Sequence, residues 1–173
     1  MWKLNRRARQ ATLIVHIVAA GAWIGIDVLV AVLVVVGRFG SDLETRSLAY
    51  QALGAFVVWP MLVSGLVCLA TGLLLGLGTK WGLIRYWWVL VKLVLNVVLC
   101  LLILEALRPG MPGVGRYGRE LLTGTADPAV VSDLVFPPAV SLTALAIATV
   151  LSVAKPWGRV RRAARPQHER SLT

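Results

Sequence analysis

Residues 11–36 read ATLIVHIVAAGAWIGIDVLVAVLVVV. The run is longer than the roughly 20 apolar residues that carry a helix across a bilayer, and this decides the fold class. Three of its residues are out of place in lipid: His16, Trp23 and Asp27. They are separated by seven and four positions, and at about 100° per residue all three fall within roughly 20° of one direction, so they form a single seam on the helix. Gly21 and Gly25 form a small-xxx-small pair on an adjoining face, a pattern that lets another helix approach closely.

Working outward, three more apolar runs follow, at about 49–78, 86–107 and 136–154. The fold expected is an all-α membrane protein, an up-down-up-down bundle of four transmembrane helices over 11–154, with a basic N-terminus at 1–10 and a basic tail at 155–173. Pro60 is expected to kink the second run, because it lacks an N–H and crowds the preceding turn. Ser64, Cys68, Gly72 and Gly76 recur every four residues there and read as a packing face. Ser141, Ala144, Ala148 and Ser152 form a similar stripe on the fourth run. Residues 108–135 are rich in Gly and Pro and read as the longest connection. Within it, Gly113-Val-Gly115-Arg-Tyr-Gly118 spells G-x-G-x-x-G, but no strand precedes it, as a dinucleotide-binding turn requires.

Composition agrees with lipid as the solvent. Of 173 residues, 58% are hydrophobic and the formal net charge is +10. Mean hydropathy is +0.77. The basic residues cluster at the ends of the apolar runs, which argues for a membrane and against nucleic acid, whose binding surfaces interleave basic and aromatic side chains. The N-terminal start carries four Lys or Arg, the 79–85 link two and the tail six, against two and three in the other connections. That bias places both termini in the cytoplasm, and Trp2, Trp81, Trp87, Trp88 and Trp157 mark the same interface. Arg159, Arg161, Arg162 and Arg165 in the tail are expected to bind anionic lipid headgroups, at about 1 kcal/mol per basic residue.

The candidate site is built from intramembrane polar residues. His16 lies five residues into the first run and Lys92 six into the third, so a rise of about 1.5 Å per residue puts both roughly 8–9 Å from the cytoplasmic side. Ionisable residues at that depth cost a few kcal/mol and are functional candidates by default. One reading joins them in a buried polar site, with Trp23 as its roof and Asn96, one turn from Lys92, beside it. The other has Lys92 reaching back to the headgroups and His16 hydrogen-bonding a neighbour. Asp27 lies some 24 Å along the first helix, far from Lys92. It reads as protonated, as facing a water-filled outer vestibule or, preferred, as hydrogen-bonded to a neighbouring helix. Glu105 is placed to pair with Arg108 at the interface. Cys68 and Cys100 sit in apolar runs as small hydrophobes, and no spacing of His, Cys and carboxylates resembles a zinc or di-iron set. Two-histidine haem ligation is excluded by count, since His168 is in the tail; a single axial bond from His16 is not.

HIVAAGAWIGID and WGLIRYWWVLVKLVLN resemble a family of actinobacterial four-helix integral membrane proteins, a likeness covering most of residues 11–107. More distantly the same stretches are similar to HemJ-type protoporphyrinogen oxidases and copper-resistance D membrane proteins. His16, Trp23 and Lys92 fall on the HemJ-type positions, and that likeness implies a haem b bound through His16. The chain departs from it by lacking a further histidine near Gly37, and from copper handling by lacking Met/His-rich segments. Two function classes therefore stand: a small permease or accessory subunit, which implies a homo-oligomeric or membrane-complex partner, and a haem-associated oxidoreductase.

Overall fold

The computed structural model describes residues 5–78 and 86–154, and these are helical throughout apart from short connections. α1 spans Arg6–Phe39, α2 Leu43–Phe56, α3 Val58–Gly78, α4 Trp87–Leu102, α5 Arg108–Leu121 and α6 Phe136–Ala154. A π-helical turn, Ile103–Leu107, joins α4 to α5, and a 3₁₀ turn, Pro128–Val131, precedes α6. Among the described residues, four helical stretches are long and apolar enough to cross a membrane: Arg6–Phe39, Val58–Gly78, Trp87–Leu121 and Pro128–Ala154. The chain is an all-α protein of membrane-protein character. Lys80, Trp81, Arg85, His168 and the tail arginines Arg159, Arg161, Arg162 and Arg165 lie outside the described residues.

Local chemistry sets the helix ends. Asn5 opens α1 by accepting from the Ala8 amide at 2.7 Å, and Asp42 opens α2 by accepting from the Thr45 amide at 2.7 Å. The run expected as one helix over 49–78 is instead two. The chain bends at Val57, because Pro60 has no N–H to give the Phe56 carbonyl, and α2 reaches back to Leu43 through residues that read as a polar link.

The larger correction is at 108–135, expected as a loop. Most of it is α5, which continues the line of α4 through the π-helical turn. There the Arg108 amide bonds back five residues to the Ile103 carbonyl, a register change that accommodates Pro109 just inside the next helix. Gly115 and Gly118 of this segment pack rather than turn, whereas Gly110 has nothing within 4 Å of a built Cβ and Gly124 alone among the described residues has a positive φ, 73°. α5 lies against α2. A Cβ built on Gly54 would sit 2.6 Å from the Gly115 backbone, and one on Gly118 2.8 Å from the Ser47 carbonyl. Ser47 Oγ donates across the pair to the Gly118 carbonyl at 2.6 Å, and Tyr50 meets Tyr117 edge-on at 5.0 Å. The G-x-G-x-x-G spelling is thus part of a helix–helix contact.

The remaining contacts close a circuit: α1 packs on α3 and α6, and α4 packs on the same two helices. The ladder on α3 faces inward, with Ser64, Cys68 and Gly76 buried. Gly21 and Gly25 on α1, expected to admit a neighbouring helix, have nothing within 4 Å of a built Cβ. They lie on the exposed face of this chain.

Candidate functional site

The seam of α1 points into the circuit and feeds two cavities. His16 lies on the one nearer the start of α1, labelled inner by that position alone, which measures about 150 Å³ and is lined also by Cys68, Gly72, Lys92, Asn96 and Ser152. His16 Nδ1 contacts Thr71 Oγ1 at 2.9 Å and the Cys68 carbonyl at 3.1 Å. Thr71 gives its own hydroxyl proton to the Val67 carbonyl at 2.6 Å, so Nδ1–H is the donor to Thr71. Nε2 is left as the acceptor of the ring. Gly72 makes this docking possible, since a Cβ there would stand 3.3 Å from His16 Cε1.

Lys92 enters the same cavity from α4. Its ammonium donates to Ser152 Oγ on α6 at 2.9 Å and lies 4.7 Å from the centre of the Trp88 ring. Asn96, one turn on, accepts from Cys100 Sγ at 3.6 Å. The structure therefore brings His16, Lys92 and Asn96 to one cavity, and gives the histidine and the lysine separate partners on α3 and α6.

Trp23 is not among the residues lining that cavity. It is fully buried deeper in the bundle, where Gly65 leaves room for its indole: a Cβ there would be 3.0 Å from Trp23 Cη2. Its Nε1–H has no partner among the described residues.

Asp27 lines the second, outer cavity of about 400 Å³, whose walls come from α1, α3, α4, the π-helical turn, α5 and α6. Asp27 is completely buried. Ser141 Oγ on α6 donates to its Oδ2 at 2.6 Å, while Oδ1 has no partner among the described residues. The bond to a neighbouring helix is present, and Asp27 also lines a cavity. Each unpaired buried polar atom costs about 1–3 kcal/mol, so two of them one turn apart on α1 mark a place the fold holds against its own stability. Leu99 lines both cavities. Arg108 lies over the Trp59 ring, 5.7 Å from its centre, and Glu105 is exposed.

The haem implied by the family likeness can be tested against this geometry. The inner cavity falls below the 300–1,000 Å³ or so typical of cofactor sites. The Nδ1 bonds to α3 leave Nε2 as the nitrogen an iron would take, so it is the volume of about 150 Å³, too small for a porphyrin, that does not fit the group. Among the described residues no three His, Cys, Asp or Glu side chains are grouped to hold a metal ion.

Thr71, Ser152, Ser141 and Leu99 were not singled out from the sequence as functional. Ser141 and Ser152 carried the one available signal, a polar atom recurring on a stripe of small residues. Comparison of the chain with family models, with curated proteins and with solved structures finds no match.

Proposed function

We propose that this chain is a small permease of a bacterial plasma membrane: four helices in up-down-up-down order, both termini in the cytoplasm, and a path for a polar solute along the seam of α1. One observation carries the reading. Two cavities, one holding His16, Lys92 and Asn96 and the other Asp27, are both lined by Leu99. With Leu99 as an apolar partition between them, they supply two solute sites in series, with protonatable side chains at each. The Lys and Arg bias of the connections supports the orientation, and the likeness to actinobacterial four-helix membrane proteins is in keeping with the architecture. Arg159, Arg161, Arg162 and Arg165 are assigned to anionic headgroups on the cytoplasmic face.

Proteoliposomes test the permease reading through uptake of a labelled amine, carboxylate and sugar. At least one should enter faster than into protein-free vesicles; correctly inserted protein that accelerates none refutes it. An accessory role in a larger assembly is favoured by one separate observation, the uncovered Gly21–Gly25 face of α1, which a helix of another subunit or a second copy would fill.

A further inference from the structure

The outer cavity has a more specific chemistry than the permease reading uses. Its volume of about 400 Å³ is within the range of small-molecule sites, about 300–1,000 Å³. Its walls are apolar, from Val30, Met61, Ile103, Leu107, Val114 and Phe136. Among the described residues its lining includes two acids, Asp27 and Asp133, and no Lys, Arg or His. Asp27 is at zero exposure with Oδ1 unpartnered, whereas Asp133 is exposed.

We propose that this cavity binds an amphipathic primary amine, whose ammonium donates to Asp27 Oδ1 and whose apolar body lies against α4, α5 and α6. The inference rests on the permease reading for the role of the bound amine, and names the class of solute.

Other ligand classes fit the same observations less well. An anion would meet two carboxylates with no cation to offset them. A lipid tail would satisfy the walls and leave Oδ1 unpaired. A hard metal ion requires about six oxygen ligands, and the deep end of the cavity offers Asp27 and Ser141. A quaternary ammonium has no N–H for Oδ1 and looks for several aromatic faces, whereas Phe136 is the one aromatic ring in the lining. A primary ammonium supplies the missing donor and the opposite charge together, and Asp133 at the exposed end adds a field that draws cations in.

The test is equilibrium dialysis of the full chain in nanodiscs against labelled benzylamine at pH 7, with empty nanodiscs as the blank. Saturable binding is expected, and unlabelled benzyl alcohol, similar in size but uncharged, should compete at least about tenfold less well. Asp27→Asn should weaken benzylamine binding about 30-fold. Val114→Trp, which fills the cavity from α5 and leaves Asp27 in place, should abolish it, and keeps the test available if Asp27→Asn does not assemble. Equal competition by the alcohol, wild-type affinity in assembled Asp27→Asn, or unchanged binding in Val114→Trp would each overturn the proposal. Saturable amine binding in a protein that accelerates no solute would remove the permease reading and leave the amine site. Uptake of the carboxylate or sugar without amine binding would do the reverse.

Discussion

Alanine placed at each of five helical glycines should change stability by amounts that follow the distances around them. At Gly54 a new Cβ meets the Cα and N of Gly115 at 2.6 Å and the Met111 carbonyl at 2.8 Å. At Gly118 it meets the Ser47 carbonyl at 2.8 Å and the Gln51 amide nitrogen at 3.0 Å. These neighbours are backbone, so α2 and α5 must separate, and overpacking of this kind costs about 1–3 kcal/mol. Alanine returns up to about 1 kcal/mol of helix propensity. The net loss is about 1–2 kcal/mol, which for a chain of this length lowers Tm by roughly 2–8 °C. At Gly115 the nearest atom is 3.5 Å away, an ordinary contact, and at Gly21 and Gly25 nothing lies within 4 Å. Those three substitutions should be neutral or slightly stabilising. Thermal melts of the five variants in one detergent, followed by circular dichroism, measure the series. Equal effects at all five positions, or an unchanged melt for Gly54→Ala and Gly118→Ala, would refute the packing of α5 on α2.

Two further outcomes follow from single hydrogen bonds. The Thr45 amide, donating to Asp42, holds that carboxyl below the usual carboxylate range. Its contribution to α2 is therefore complete above the unfolded value of about 3.9 and is lost as pH falls through the lowered folded value. Hydrogen exchange over residues 43–56 should lose protection on that acid limb in the wild type and stay level in Asp42→Asn, which keeps the cap without the charge; the same limb in both would contradict this. Ser141→Ala leaves both oxygens of Asp27 without a donor and should cost about 1–3 kcal/mol, while Ser141→Thr, which restores the hydroxyl, should recover most of it. Equal melts for Ser141→Ala and wild type would show that the bond adds nothing.

The four apolar runs and the α1 seam were legible because hydrophobic length and a period of 3.6 are properties of one helix at a time. His16, Trp23 and Asp27 all turn inward, as their spacing required. What two helices do together was less legible. Trp23 was expected to roof the histidine site and instead fills the notch at Gly65, because its direction depends on where α3 is thin. Lys92 shares the cavity of His16 yet bonds Ser152, since the rotation of α6 decides which hydroxyl is in reach. α5 was hidden by its own composition. Glycine and proline usually mark turns, but here Gly118, with Gly54 on the facing helix, thins a contact surface, and a π-helical turn absorbs Pro109. No local pattern separates these two uses of glycine; only the presence of Gly54 on the facing helix does.

The proposed partition at Leu99 tests the central claim most directly, because one position can be made both larger and smaller. On that proposal Leu99→Trp fills the space between the His16 and Asp27 cavities, whereas Leu99→Ala joins them at a cost of about 2–5 kcal/mol in stability. Tracer uptake should be measured in proteoliposomes holding equal amounts of inserted wild type and each variant. A path along the seam predicts that Leu99→Trp abolishes uptake and Leu99→Ala raises it above wild type. Uptake unchanged by both, in protein that melts as an assembled bundle, would contradict the path.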